Sequence, residues 1–323
     1  MYRKISAIIF STLIAAGIII YMLASVWDDL LLGLEHADWV YLLVATIICI
    51  AAWWLRGFRY QKILKGLEIP AGLTFSTACI FVSQTVNLVI PARLGDLVRV
   101  FILKHEYKST VSKGISSLVV ERVFDIVTVA LLGAISLLFV LDAPDWFYFL
   151  IIGFLAAGVA FFGFLHLIGK FSPKNRYLKI IMTMLEQVRQ ASLTVRSMVE
   201  LTTESIIIWL LDVLVCFFVV LMFQEHIPFA LIVLAVVIGN LVKAVPLTPG
   251  GVGTYELAVV LTFSLAGVSP VTATLIAVID HLLKNLVTLA GGIVSIYFFG
   301  GWVLDTMKSA FRKELEGGKD PGI

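Results

Sequence analysis

An all-α fold of membrane-crossing helices follows from three features of this 323-residue sequence. Hydrophobic residues make up 60% of it and charged residues only 14%, against about 45–50% and about 25% in soluble domains. The apolar residues fall in long runs without strand-like alternation, which argues for helices rather than a β-barrel. Lysine and arginine collect at alternate loops between those runs, as they do on the cytoplasmic side of a membrane protein. The prediction is a polytopic helical membrane protein with about six full spans and two re-entrant helical hairpins in an inverted-topology repeat.

The elements follow in order. Arg3 and Lys4 precede an apolar run over 5–26 that lacks a small-residue cleavage site before Trp27, so it reads as a retained first span with its start inside. The stretch "WDDLLLGLEHADW" is acidic and holds no Lys or Arg, which places it outside. Residues 39–55 return, and Arg56, Arg59, Lys62 and Lys65 mark the inner face.

The run 73–90 is followed by Arg93, Arg99, Lys104, Lys108 and Lys113, so a full crossing would strand that basic cluster outside. A hairpin that turns at "NLVIPARLGD" and returns the way it came avoids this. Broken backbone of that kind is tolerated at membrane depth only where protein or a watery cavity covers it. Residues 114–141 then cross outward to "DAPDW", and 147–168 cross inward. The polar stretch 170–204 reads as a cytoplasmic interfacial helix, and 205–223 goes out to "QEHIP". The span 271–299 ends inside, since Lys308, Arg312 and Lys313 follow it. Residues 229–268 are therefore expected to form a second hairpin, dipping in from outside.

The chain thus reads as one membrane domain, 1–323, with repeats over 39–141 and 205–299, the linker 170–204 and a disordered tail over 314–323. Hairpins interrupted by Gly and Pro at corresponding places in two halves point to a binding site near the bilayer midplane.

The second break, "VPLTPGGVGTYE", carries the densest chemistry. Pro246 and Pro249 end the incoming half-helix, for want of an N–H and by constraint on the preceding residue. Gly250, Gly251 and Gly253 permit positive φ and leave amides bare, and Thr254 is placed to cap a new helix running through Glu256. The expected result is a helix N-terminus presented as an anion site. A nucleotide-binding loop is a poor alternative, since neither a strand nor a Walker lysine accompanies the glycines.

The first break repeats the design with side-chain charge. Pro91 and Gly95 interrupt the helix, Asp96 is placed to cap the next one, and Arg93 projects beside the gap. Arginine suits forked contact with phosphate oxygens. Arg99 could equally snorkel to the inner interface and pair with Asp96.

Ionisable residues within spans are expensive and face a cavity or one another. "VVERVFDIV" carries Glu121, Arg122 and Asp125, with Arg122 open to either structural pairing or ligand contact. Asp280, His281 and Lys284 occupy the comparable span of the second half, and Lys243 lies just ahead of the glycine-rich break. Asp212, alone in its span, is expected to pair internally. Cys49, Cys79 and Cys216 sit singly in apolar runs and read as packing residues.

At these residues the sequence resembles a known family. "N-x-x-x-P-A-R-x-G-D", "E-R-x-x-D" and "P-x-T-P-G-G-x-G-x-x-E" are similar to motifs of the transmembrane region of lysylphosphatidylglycerol synthases. That region also occurs in stand-alone flippase-like membrane proteins (uncharacterised protein family 0104) and attached to some archaeal dolichol-linked glycosyltransferases. The matching positions here are Asn87, Pro91, Arg93, Gly95, Asp96, Glu121, Arg122, Asp125, Pro249, Gly250, Gly251, Gly253 and Glu256. Asp96 stands where many members have Glu. The resemblance implies lipid translocation. Lysylation does not carry over, because the aminoacyltransferase domain of the synthases is not part of this sequence.

The leading expectation is a translocase of a phosphate-bearing lipid or polyprenyl-linked headgroup in the plasma membrane, with both termini cytoplasmic. Its candidate ligand-binding residues are Asn87, Arg93, Asp96, Glu121, Arg122, Asp125, Lys243, Gly250, Gly251, Gly253, Thr254, Glu256, Asp280, His281 and Lys284. The expected partner is an anionic or polyprenyl-phosphate membrane lipid, and no nucleic acid, metal or cofactor is expected. A membrane-embedded transferase or phosphatase competes with this reading, although the histidines are scattered without metal-like spacing. A third reading is a partner of a separately encoded synthase or glycosyltransferase. Homodimerisation is left open.

Overall fold

The computed structural model describes residues 17–22, 34–90, 93–140, 143–168, 175–245, 248–265, 267–300 and 302. Most of the expected first span 5–26, Pro91, Pro246 and the tail 314–323 lie outside the described residues. The protein is a polytopic helical membrane protein, and among the described residues there is no strand.

The helices are α1 (Trp39–Gly66), α2 (Leu73–Val89), α3 (Gly95–Tyr107), α4 (Val111–Leu137), α5 (Asp145–Leu167), α6 (Arg176–Ser192), α7 (Val195–Met222), α8 (Phe229–Ala244), α9 (Thr254–Ser264) and α10 (Pro270–Phe299). A short 3₁₀ turn, Pro249–Gly251, joins the region of α8 to α9. By length and composition α1, α5, α7 and α10 can each cross a membrane, while α2 and α8 are shorter apolar helices. At 1.5 Å per residue, the 17 residues of α2 and the 16 of α8 reach roughly 25 Å, short of a hydrocarbon core of about 30 Å.

Local chemistry sets the helix starts. Asp38 accepts from the Val40 amide at 3.0 Å, Thr110 from Lys113 at 3.2 Å, Thr194 from Ser197 at 3.2 Å and Ser269 from Thr272 at 3.1 Å. Each side-chain oxygen satisfies an amide that the first turn leaves without a partner. The Thr194 cap divides the stretch expected as one interfacial helix. Helix α6 stops at Ser192, and 195–204 belong to the long helix α7.

Helix α8 lies at the centre of the bundle. Every residue from Leu231 to Gly239 is buried, as expected of a helix apolar on all sides. Helix α1 packs along α7, α2 along α10, and α8 along α4. Each of the two shorter apolar helices therefore rests on a long one. Small residues allow close approach: a Cβ on Gly57 would lie 1.9 Å from Thr77 Oγ1, and one on Gly292 would lie 1.9 Å from Thr85 Oγ1. On the periphery, α5 buries only Phe147, Ile151, Gly158 and Leu165. Its outer face exposes Phe149, Ile152, Val159, Phe164 and Leu167, an apolar surface suited to acyl chains rather than water.

Candidate functional site

The two chain breaks meet. Arg93, at φ 56°, sits in the left-handed region that a non-glycine residue occupies only under constraint. Its Nη2 donates to the carbonyl of Lys243, at the end of α8, at 3.3 Å. Gly250 and Gly251 continue the contact, with φ of 62° and 79°. A Cβ on Gly250 would lie 3.0 Å from Leu88, and one on Gly251 would lie 2.6 Å from the Lys243 side chain. Glycine is thus required there both for φ and for space.

Around this junction is a cavity of about 430 Å³, lined from α1, α2, α3, α4, α7, α8, α9, α10 and the 3₁₀ turn. That lies within the roughly 300–1,000 Å³ of ligand pockets. Six cations (Arg56, Arg59, Arg93, Arg122, Lys243, Lys284) and four carboxylates (Asp96, Glu121, Asp125, Asp212) line it.

The carboxylates are all engaged. Asp96 receives Arg122 at 2.9 Å, Ser83 at 3.0 Å and Asn87 at 3.1 Å. Glu121 holds Arg99 at 2.5 Å, and the Arg99 guanidinium lies over the Tyr60 ring. Asp125 receives Arg59 at 2.6 Å and the Trp209 indole at 3.1 Å. Asp212 pairs with Arg56. Just behind the wall, Asp280 receives Lys284 at 2.7 Å and the Tyr255 hydroxyl at 2.7 Å.

Two lining cations remain without a carboxylate partner among the described residues, Arg93 and Lys243. Lys243 Nζ instead meets His281 Nε2 at 3.1 Å, and His281 Nδ1 meets Glu256 Oε1 at 2.7 Å. Glu256 Oε2 in turn accepts from the Gly253 amide at 2.8 Å.

Several expectations are corrected. Thr254 does not cap α9: Gly253 holds that position at φ 84°, and the Thr254 hydroxyl donates back to the Gly251 carbonyl at 3.0 Å. Of the amides expected to be bare, those of Gly251 and Gly253 are bonded, to the Thr248 carbonyl at 3.1 Å and to Glu256 at 2.8 Å. The protein's own carboxylate thus sits at the positive end of α9. Asp96 does not cap α3 either, because Arg122, Asn87 and Ser83 hold its oxygens. Arg99 does not snorkel, being 0% exposed and bound to Glu121, but it keeps the expected pairing with Asp96, at 3.6 Å.

Of the sequence candidates, Asn87, Arg93, Asp96, Glu121, Arg122, Asp125, Lys243, Gly250, Gly251, His281 and Lys284 line the cavity. Gly253, Thr254, Glu256 and Asp280 form the layer behind it. Sequence reasoning used Arg56 and Arg59 only as topology markers and passed over Trp209. The available signal was that α1 has no helix breaker from Leu55 to Lys65 other than Gly57, so a continuous helix carries both arginines well inside the bundle. Away from the cavity, Lys113 in the first turn of α4 bonds Glu68, just past α1, and holds that exposed carboxyl below its ordinary range.

Residues 8–292 match the family profile of the lysylphosphatidylglycerol synthase transmembrane region. The chain belongs to that family. Among relatives, glycosyltransferase AglD of Haloferax volcanii is 33% identical over 309 residues, covering 81% of this chain and 49% of that protein. A UPF0104 membrane protein of Methanocaldococcus jannaschii is 28% identical, over 66% of this chain and 93% of its own. Another, from Methanothermobacter thermautotrophicus, is 22% identical over 85% of this chain and 90% of its own. The chain therefore spans about half of the glycosyltransferase and nearly all of the stand-alone family members.

Proposed function

We propose that the protein is a lipid translocase that admits a phosphate-bearing lipid or polyprenyl-linked headgroup to the central cavity while its chains stay in the bilayer. One observation carries this reading: the two chain breaks converge on a cavity where Arg93 and Lys243 lack carboxylate partners. An anionic headgroup supplies what they lack. The reciprocal packing of α2 on α10 and α8 on α4 supports an inverted repeat over 39–141 and 205–299, with hairpins α2–α3 and α8–α9 entering from opposite leaflets. The basic loops support a plasma-membrane protein with both termini in the cytoplasm.

The test is movement of labelled phosphatidylglycerol and labelled polyprenyl phosphate between leaflets of reconstituted vesicles. Loss of a charged hydrogen bond of about 1.5–3 kcal/mol predicts that Arg93→Ala slows movement about ten- to a hundredfold. Glu256→Ala, which frees the Gly253 amide and unseats His281, slows it as well. Equal rates in protein-free and wild-type vesicles would end the proposal.

A second reading is favoured by the name of the Haloferax relative: a membrane-embedded transferase or phosphatase, or the partner subunit of such an enzyme. Product analysis after incubation with labelled lipid separates the two, since a translocase returns the lipid unchanged.

A further inference from the structure

In the chain from Lys243 through His281 to Glu256, a cation and a carboxylate are separated by an imidazole ring. An ammonium can only donate and a carboxylate can only accept, so the partners fix the tautomer. His281 carries its proton on Nδ1, toward Glu256 at 2.7 Å, and its Nε2 lone pair faces Lys243 at 3.1 Å. Glu256 balances Lys243 across the imidazole, and both His281 and Glu256 are buried.

We propose that headgroup binding takes up one proton, held on His281; this rests on the reading of the cavity as a phosphate site. When a phosphate settles between Arg93 and Lys243, the lysine turns to its oxygens. His281 Nε2 then loses its donor, and Glu256 loses the charge that balanced it. A buried carboxylate without a counter-charge is costly. A proton from solution, added to Nε2, corrects both: the imidazolium keeps Nδ1–H on Glu256 and offers Nε2–H to the phosphate. One N–H bond forms at Nε2 as an acid in the buffer gives up its proton, and the proton enters with the anion.

The neighbouring charged groups are already committed. On α10, Asp280 is held by Lys284 and Tyr255. From α7, Asp212 is held by Arg56 of α1. The first hairpin contributes Arg93, which donates to the Lys243 carbonyl, and α2 meets α10 through the Thr85 hydroxyl on the Thr288 carbonyl. This leaves His281 and Glu256 to take the proton.

The sign follows from linkage. A bound state that holds one more proton binds more tightly as pH falls, by up to about tenfold per pH unit while free His281 is neutral. The test uses the purified full chain and short-chain phosphatidylglycerol, whose phosphodiester does not titrate near neutrality. Titration calorimetry from about pH 5.5 to about pH 7, where Lys243 keeps its charge, in two buffers of different ionisation enthalpy, counts protons taken up. The expected result is one proton per lipid in wild type. In His281→Gln, binding should become independent of pH and of buffer.

A merely structural histidine would weaken binding equally at every pH and leave the slope unchanged. Buffer-independent heat and flat affinity in wild type overturn the inference, while binding that is still lost in Arg93→Ala leaves the phosphate reading standing. No binding at any pH overturns both. The wild-type proton count decides the matter even if the variant fails to fold.

Discussion

Arg99 shows most directly how single residues are held in this bundle. It is 0% exposed, yet its Nη1 meets Glu121 Oε2 at 2.5 Å and its guanidinium covers Tyr60 at 4.7 Å. Removing one partner of a buried ion pair leaves an uncompensated charge and typically costs about 3–5 kcal/mol. Glu121→Gln is therefore expected to lower stability by about that amount, read as a fall in the detergent melting transition. The double change Arg99→Met with Glu121→Leu should recover most of it, because replacing both partners by apolar groups removes the burden entirely. Arg93 differs. With no ion pair to lose, Arg93→Ala should leave the melting transition almost unchanged while affecting headgroup movement. The sequence pointed to Arg93 because a charge beside a Pro/Gly break is rare at membrane depth. It paired Arg99 with Asp96, which lies 3.6 Å away, and did not show that the nearer partner is Glu121.

Among the elements, the hairpin of α2 and α3 depends on one glycine. A Cβ on Gly95 would lie 2.2 Å from the Ser83 carbonyl and 2.6 Å from Asn87 Oδ1. Backbone cannot yield as a flexible side chain would. Gly95→Ala is expected to destabilise the protein by about 1–3 kcal/mol through overpacking and to disturb Asn87 and Asp96 together. Gly153, inside α5, has nothing within 4 Å of its would-be Cβ. Gly153→Ala should instead be neutral or stabilise by up to about 1 kcal/mol through helix propensity. Melting both variants in one detergent checks the contrast. The glycine-rich break after α8 was readable from its prolines and glycines, but the filling of its amides was not. That Glu256 folds back on Gly253 follows from Gly253 taking the cap position, one residue earlier than the hydroxyl of Thr254 suggested.

For the whole molecule, the arrangement of basic loops makes a prediction about sidedness. Lys108 follows α3, and His226 follows α7, in the loops expected on opposite faces. Cys49, Cys79 and Cys216 are all buried, so they should contribute little background. Lys108→Cys should react with a membrane-impermeant maleimide only from the cytoplasmic side, and His226→Cys only from the other. Reaction of both from one side would remove the inverted arrangement.

Membrane residence, helicity and the positions of the two interruptions were determined by the sequence alone. Each depends on local composition: apolar length, charge placement, and the backbone limits of proline and glycine. Which charges neutralise one another was decided only by the tertiary structure. Arg56 meets Asp212 across 156 residues, Arg93 meets the Lys243 carbonyl across 150, and Arg59 meets Asp125 across 66. Every cation in such a sequence has several carboxylates it could reach, and Coulomb attraction does not depend on chain separation. Helix packing selects the partners, and so leaves Arg93 and Lys243 facing the cavity without a carboxylate among the described residues.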